Sequence, residues 1–269
     1  MKINKRLKLV GDYIDKGSIP LDIGCDHAKL SIYLLRDKNF PFVYASDNKT
    51  GPLNQAKENI NYYKLTNKIE LIKADGLNSL NDKIDTITIT GMGGLTINKM
   101  FIDNKSNLTN IKTIILSPNN FVKEVRETIT KLGYYLKDEE LVEENNKIYH
   151  ILLFSKGTIN YSSKELYLGP ILMTKNNQLI KKYYRNELLK INNLLLNNIL
   201  ILSILNIDLN ILNADVKLFE RNISIPINTN IVVLIICMNL YHFASTFIFS
   251  LPIIFLNTGS NKIPNIIIT

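Results

Sequence analysis

Three acidic side chains stand at the ends of successive apolar runs in the first third of the chain, at Asp22, Asp47 and Asp75. The runs are rich in β-branched and aromatic residues and are bounded by Gly, Pro, Asn or Asp, which predicts β-strands. Carboxylates there can accept hydrogen bonds from an ammonium group, from ribose hydroxyls and from the exocyclic amine of adenine. Ligands of doubly wound sheets bind at the carboxyl ends of the strands, so we expect the three acids to share one site.

The first of these turns reads Leu21-Asp22-Ile23-Gly24-Cys25-Asp26-His27-Ala28 and leads into a helix-forming stretch at Lys29. Gly24 lacks a Cβ atom, so the backbone can pass close to a ligand. The fingerprint G-x-G-x-x-G of dinucleotide sites is absent, and Asp26 would repel a pyrophosphate at a helix N-terminus. S-adenosylmethionine carries a sulfonium and an ammonium group and tolerates that acid. The residues therefore favour this cofactor over a nicotinamide or flavin dinucleotide.

A second loop of interest, Gly91-Met92-Gly93-Gly94, ends the fourth predicted strand. Three glycines in four residues predict either a close approach of the backbone to a ligand or a strained loop. A fifth predicted strand ends in Ser117-Pro118-Asn119-Asn120 and precedes a helix over 121–132.

Strands that alternate with helices indicate an α/β fold with a largely parallel sheet. Tyr134–Leu136 and Ile148–Phe154 predict a terminal antiparallel pair, so one strand of that sheet is expected to run in reverse. The acidic residues between them, interpreted as a solvated loop, are Glu139, Glu140, Glu143 and Glu144. A helix over 3–15 feeds directly into the first strand, which is expected to bring Arg6 near the mouth of the ligand site.

The pattern changes after Phe154. Residues 161–170 are interpreted as a connector, and Leu and Lys at helical or heptad spacing predict one or two helices over 174–201. Such helices could form a dimer or an intrachain hairpin, or a basic arm that binds the RNA backbone. No Asp, Glu, Lys or Arg occurs from Asn222 to Asn261. We interpret this tail as translation of an altered reading frame in preference to a membrane span.

Composition narrows the class of protein further. The chain has 269 residues and a net charge of +8, which fits a polyanionic partner such as RNA, although an AT-rich genome also explains a Lys-rich composition. Its two cysteines, Cys25 and Cys237, and three scattered histidines argue against a metal site or a disulfide framework. The N-terminus lacks the apolar core of a signal peptide. We expect a cytoplasmic enzyme, either a monomer or a weak dimer, with no metal.

Several motifs occur together and in order: Lys5-Arg6-Leu7, the turn at 22–28, Gly51-Pro52-Leu53, Asp75-Gly76-Leu77, the loop at 91–94, Pro118-Asn119 and Gly169-Pro170. With them the chain resembles, over residues 3 to about 200, the bacterial tRNA methyltransferases that modify N1 of adenine 22. The resemblance implies a Rossmann-like class I methyltransferase domain over 1–160 and a coiled-coil arm over 161–206. It leaves 207–269 outside the family pattern, and this chain has Ser117 where the family usually has Gln.

The resemblance also implies S-adenosylmethionine as cofactor, tRNA as partner and a set of site residues. The cofactor-binding candidates are Asp22, Gly24, Cys25, Asp47, Asn48, Asp75, Gly76 and Gly91. The catalytic candidates are Asp26, nearest the reacting edge of the base, with Arg6 and His27. The substrate-binding candidates are Met92, Gly93, Gly94, Pro118 and Asn119. A methyltransferase for another substrate, or a non-catalytic RNA-binding protein that retains the pocket, remains as the alternative.

Overall fold

A computed structural model of the chain describes residues 3–204, with the backbone alone described at residue 192 and over 194–204. Within this range one sheet has the strand order β3-β2-β1-β4-β5-β7-β6. Only β7 runs antiparallel to its neighbours, which confirms the prediction of a parallel sheet with one reversed strand. The strands are β1 Pro20–Ile23, β2 Val43–Asp47, β3 Ile69–Lys73, β4 Thr86–Thr90, β5 Thr113–Ser117, β6 Tyr134–Glu144 and β7 Lys147–Lys156.

The helices alternate with the strands until the end of the sheet. They are α1 Lys5–Asp12, α2 Lys29–Arg36, α3 Thr50–Tyr62, α4 Gly94–Asp103, α5 Val122–Lys131, α6 Ser163–Leu168 and α7 Gln178–Ile204. The α4 helix was not predicted, because glycines precede it and its helical character depends on burying Ile97 and Phe101 against the sheet. The α6 helix lies in the predicted connector, although Ser162 and Glu165 form a capping box at its start.

Two apolar layers hold the helices on opposite faces of the sheet. Val10 of α1, Leu34 of α2 and Ala56 of α3 belong to one buried cluster. Ile97 of α4 and Val125 of α5 belong to the other. Because successive strand residues point to opposite faces, β2, β5 and β7 contribute to both layers, whereas the apolar residues of β1 and β4 belong to the second layer alone.

The structure corrects the interpretation of Glu139 and its neighbours as a solvated loop, since these residues lie in β6. Glu139 is fully buried and accepts hydrogen bonds from Nε and Nη2 of Arg126 at 3.0 and 2.8 Å. Its other oxygen accepts from the backbone N–H groups of Ile171 and Leu172, both at 2.9 Å. A buried carboxylate is tolerated here because a buried guanidinium and two amides satisfy it. We call these residues the Arg126–Glu139 cluster.

His150 adjoins this cluster on β7. Its Nδ1 atom lies 3.4 Å from Nη2 of Arg126, and its ring packs edge-on against Tyr183 at 4.8 Å. Burial, together with the charge of Arg126, lowers the pKa of His150 to about 3. The imidazole is therefore neutral at physiological pH and leaves Glu139 as the counter-charge of Arg126.

The chain divides into two compact units, Met1–Tyr183 and a second that begins at Tyr184. The boundary predicted between residues 160 and 161 therefore falls inside the first unit. The segment after residue 160 packs back onto β6: Tyr161 contacts the Leu136 backbone, and Lys175 bonds Asp138 at 2.7 Å. Residues 205–269, which include the predicted tail, lie outside the described residues. Within 3–204, none of the helices is apolar and long enough to cross a bilayer.

Candidate active site

A cavity of about 550 Å³ opens at the carboxyl ends of β1 to β4, and Asp22, Asp47 and Asp75 all line it. The strand order reverses between β1 and β4, and such a switch point is where open α/β sheets bind ligands. The volume falls within the range of about 300–1,000 Å³ usual for small-molecule sites. The three acids that the sequence analysis joined into one site are thus brought together.

Asp22 is the most deeply buried of these acids, at 3 % exposure. It accepts hydrogen bonds from the hydroxyls of Thr88 at 3.2 Å and Ser31 at 3.4 Å. Burial raises the pKa of Asp22 to about 7, the charge of Asp47 adds to the rise, and the two hydroxyls oppose it. A carboxyl group with this pKa is partly protonated at neutral pH, and a ligand cation placed beside it would favour the ionised form.

The turn after β1 has an unusual backbone. Gly24, Asp26 and Ala28 have φ angles of 70°, 49° and 55°. Left-handed conformations at residues other than glycine are costly and cluster at functional sites. The turn is nevertheless firmly held, because Gly24 N–H and Cys25 N–H both donate to the Ser46 carbonyl, at 2.8 and 3.0 Å.

The same turn presents two polar side chains at the mouth of the cavity. Oδ2 of Asp26 lies 3.3 Å from Nε2 of His27, and both side chains are substantially exposed. Asn59 of α3 donates to the His27 carbonyl at 2.9 Å and fixes the turn from below. Asp26 is therefore an accessible carboxylate on a rigid support.

The other two acids form the rim of the cavity. Asp47 accepts from the Lys49 N–H at 2.9 Å, and Asp75 accepts from the Asn48 amide at 3.1 Å. A carboxylate offers about four lone-pair sites, so both retain capacity to accept from ligand hydroxyls or amines. Gly76 is buried at φ 53°, and a Cβ atom there would lie 2.7 Å from the side chain of Met100, so both the backbone and the packing favour glycine at this position.

Cys25 faces the cavity but is buried. Burial is the main reason that the pKa of its thiol is raised, and the nearby charges of Asp22 and Asp47 add to the effect. A thiol with a raised pKa is a poor nucleophile. Cys25 therefore contributes to the wall of the site and carries no covalent chemistry.

Arg6 of α1 also lines the cavity. Its guanidinium carbon lies 4.4 Å from the centre of the Tyr149 ring, a distance at which the cation and the ring face attract each other. Its Nη1 atom donates to Oδ1 of Asn119 at 3.5 Å. Arg6 thereby connects β7 with the loop after β5 at the mouth of the site.

Two loops beside the mouth, 91–94 and 117–121, are hydrogen-bonded to each other, and we call them the paired loops. Gly91 N–H donates to the Ser117 carbonyl at 3.1 Å, and Asn119 N–H donates to the Met92 carbonyl at 2.9 Å. The Asn119 side-chain amide also donates to the Gly91 carbonyl. The paired loops are therefore joined by hydrogen bonds among four residues: Gly91, Met92, Ser117 and Asn119.

Of the substrate-binding candidates, one lines the cavity and the others lie in the paired loops beside it. Met92 lines the cavity and its methyl group packs against Gly24. Gly94 and Pro118 are buried, and a Cβ atom at Gly94 would lie 2.4 Å from the Asn120 carbonyl oxygen. Gly94 is therefore packed between the paired loops, and Pro118 is buried in the second of them. Asn119 is exposed and Gly93 is partly buried, and neither is among the residues that line the cavity.

Several residues at the site were missed by the sequence analysis: Asn4, Ser31, Asn59, Thr88, Thr96, Met100, Asn120 and Tyr149. Thr96 and Met100 line the cavity and were missed because α4 was not predicted. Oδ1 of Asn120 accepts a hydrogen bond from the Gly94 N–H at 2.9 Å. Because Asn120 directly follows the candidate Asn119, its place beside the site could have been predicted from the sequence. Over residues 3–204, no cluster of three His, Cys, Asp or Glu side chains is arranged to hold a metal ion.

Comparison with known proteins places this geometry in a family. The family model described as TrmK, tRNA (adenine(22)-N(1))-methyltransferase, matches residues 20–217. The Bacillus subtilis tRNA (adenine(22)-N(1))-methyltransferase is 32 % identical over 195 residues, which cover 70 % of this chain and 82 % of that protein.

Two solved structures with bound ligands extend the likeness. The structure of Streptococcus pneumoniae Sp1610 in complex with S-adenosyl-L-methionine is 30 % identical, covers 71 % of this chain and 90 % of its own, and superposes with a TM-score of 0.69. The structure of M. capricolum TrmK in complex with S-adenosyl-homocysteine is 28 % identical, covers 77 % and 94 %, and has a TM-score of 0.66. From the family match and this fold, the chain belongs to the tRNA (adenine(22)-N(1))-methyltransferase family.

Proposed function

We propose that this chain transfers a methyl group from S-adenosylmethionine to N1 of adenine 22 in tRNA. The observation that carries the proposal is the acid-lined cavity at the switch point of the sheet, in a chain of this family. The accessible Asp26 carboxylate at the mouth of that cavity supplies a group suited to an aminopurine.

The residues present fit the cofactor. The buried Asp22, whose ionised form a neighbouring cation would favour, suits an ammonium group, and Asp47 and Asp75 at the rim suit ribose hydroxyls and the adenine amine. Gly24 and Gly76, both at positive φ, allow the chain to approach the ligand closely. We assign these five residues, with Cys25, Asn48 and Gly91 in the wall, to cofactor binding.

When bound, S-adenosylmethionine supplies a methyl group carried on a sulfonium. Transfer of that methyl group leaves a neutral thioether. Adenine N1 already carries a lone pair, so the chain needs no strong base to create the nucleophile. Its contribution is alignment of N1 with the methyl carbon. N1 lies on the pairing edge, so a stacked or paired adenine must first be extruded from the RNA.

We assign Asp26 to the adenine that receives the methyl group. Its carboxylate can accept a hydrogen bond from the exocyclic amine and stabilise the positive charge that the ring gains. His27, 3.3 Å away, is placed to orient that carboxylate. Arg6, held over Tyr149 and beside Asn119, is placed to anchor the substrate, with Met92 and Gly93 leaving room for the base.

The experiment is transfer of a labelled methyl group from S-adenosylmethionine into tRNA by the full chain, followed by mapping of the modified base. We expect label at N1 of adenine 22, and none in a tRNA with guanine at that position. Asp26→Asn should lower kcat by about a hundredfold, as loss of one preorganised electrostatic contact does, with unchanged cofactor affinity. Full turnover by that variant would remove Asp26 from the mechanism.

The two alternatives give different results in the same assay. Transfer to a protein or a small molecule in the absence of RNA would identify another methyltransferase. Binding of tRNA and cofactor without any transfer would identify a non-catalytic RNA-binding protein.

A further inference from the structure

Phe121 combines two features that are unfavourable for stability. The residue is 47 % exposed, and its φ angle is 52°. Positive φ at a bulky residue is an outlier that signals a turn, strain or function. The protein therefore holds an exposed aromatic ring on a strained backbone at the residue before α5.

The surroundings of Phe121 enforce this position. A Cβ atom at Gly94 would lie 2.9 Å from the Cβ atom of Phe121 and 2.4 Å from the Asn120 carbonyl oxygen. The glycine thus permits the turn to pack tightly on the start of α4. The Asn120 side chain then joins the two backbones through the Gly94 N–H. The ring is consequently fixed to the paired loops, one of which contributes Met92 to the cavity.

The surface around the ring is open. Asn119, Asn120 and Leu95 are exposed, and Leu95, at 54 % exposure, follows Gly94 directly. Phe121 follows two residues after Asn119, whose side chain donates to the Gly91 carbonyl and accepts from Arg6, and both Gly91 and Arg6 line the cavity.

We propose that Phe121 is a platform on which an unpaired base of the tRNA stacks while the target adenine occupies the cavity. The inference rests on the proposed function, because a base that reacts at its pairing edge must leave the stack. Every base has a π-face, and aromatic side chains are the usual partners of bases splayed out of RNA. The occupant is thus a nucleobase contiguous with the target, and Phe121 is a positioning residue.

Steady-state kinetics of the full chain test the platform. We expect Phe121→Ala to lower kcat/KM for tRNA by on the order of tenfold to a hundredfold, as removal of one base–aromatic stack does, with unchanged affinity for S-adenosylmethionine. Phe121→Tyr should retain most of the activity, and Phe121→Leu should not. The control is Tyr62→Ala, which removes a ring that is 79 % exposed near the end of α3 and should leave kcat/KM unchanged.

A spectroscopic readout separates stacking from a structural effect. The chain contains no tryptophan, so the Phe121→Trp variant carries a single indole at the platform. Its fluorescence should be quenched when tRNA is added in the presence of S-adenosylhomocysteine, whereas a Tyr62→Trp variant should report no change. Equal responses of the two variants would overturn the inference.

The outcomes also separate this inference from the proposed function. Wild-type enzyme that methylates no tRNA would overturn the proposed function. Wild-type enzyme that methylates tRNA while Phe121→Ala and Phe121→Leu keep full kcat/KM would overturn only the platform. A change in self-association on Phe121→Ala, with unaltered kinetics, would instead identify the patch as a contact between copies of the chain.

Discussion

Replacing Glu139 with glutamine tests the Arg126–Glu139 cluster, because the substitution preserves shape and removes one charge. The native carboxylate accepts four hydrogen bonds, two from Arg126 and one each from the N–H groups of Ile171 and Leu172. A glutamine amide has one acceptor oxygen and one donor group. Whichever way the amide turns, its NH₂ group faces donors, and the guanidinium, at 1 % exposure, loses its counter-charge.

Breaking a buried ion pair in this way costs about 3–5 kcal/mol. The melting temperature of a protein of this size falls by about 2–4 °C per kcal/mol, so Glu139→Gln should melt about 6–20 °C below wild type. The assay is calorimetric or urea unfolding of both proteins at pH 7. The control is Glu127→Gln, which breaks an exposed i,i+4 pair with Lys131 and should cost less than about 0.5 kcal/mol.

Replacing both charges with apolar residues is often neutral at a buried pair, and the cluster predicts a different result here. Arg126 also donates to the Leu166 carbonyl at 2.8 Å. An Arg126→Met/Glu139→Leu protein would therefore leave that carbonyl and the N–H groups of Ile171 and Leu172 unpaired, at about 1–3 kcal/mol for each group that stays buried. The double variant should remain clearly less stable than wild type. Loss of less than about 1 kcal/mol in Glu139→Gln would refute the buried, ionised arrangement.

Three further predictions concern the site. Because the pKa of Asp22 is raised to about 7, the ionised fraction of its carboxyl group falls about tenfold per pH unit below pH 7. The affinity for the cofactor, measured by titration calorimetry, should decline in parallel. The Asp22→Asn protein should bind the cofactor weakly and without this pH dependence. Gly94→Ala places a Cβ atom 2.4 Å from the Asn120 carbonyl oxygen and should lower the free energy of unfolding, measured in urea, by about 1–3 kcal/mol. The control Gly51→Ala, whose Cβ atom would have no neighbour within 4 Å, should not lower it. Equal stabilities of the two variants would contradict the packing of the paired loops. Because the φ angle of Phe121 is 52°, the Phe121→Gly protein should be more stable than the Phe121→Ala protein by about 1 kcal/mol. The reverse order in the same assay would contradict the strained turn.

The sequence predicted those parts of the structure that depend on local patterns. Runs of β-branched and aromatic residues identified the strands that contain Asp22 and Asp47 and the strand that ends just before Asp75, and the glycines marked the turns where a ligand approaches the backbone. The edge at which the acids meet follows from the general topology of α/β sheets. No long-range information was needed to bring these residues together.

What the sequence did not reveal depends on partners far away in the chain. Glu139 resembles a surface residue until Arg126 and the amides of Ile171 and Leu172 are placed beside it. The α4 helix forms because Phe101 has a sheet on which to pack, and its missing prediction concealed Met100. Tyr149 reads as an ordinary strand residue, and only the fold places it under Arg6.

The short helix α5 begins at the platform and contributes Arg126 to the Arg126–Glu139 cluster. Phe121 precedes its first residue, and Arg126 lies five positions further on, on the buried side. Each residue of an α-helix advances the chain by about 100° around the axis. If one residue were inserted or deleted between these two positions, either the ring or the guanidinium could keep its place, and the other would be rotated by about 100° around the helix axis. The number of residues between Phe121 and Arg126 is therefore constrained, independently of which residues they are. Insertions and deletions here should be tolerated less well than in an exposed loop.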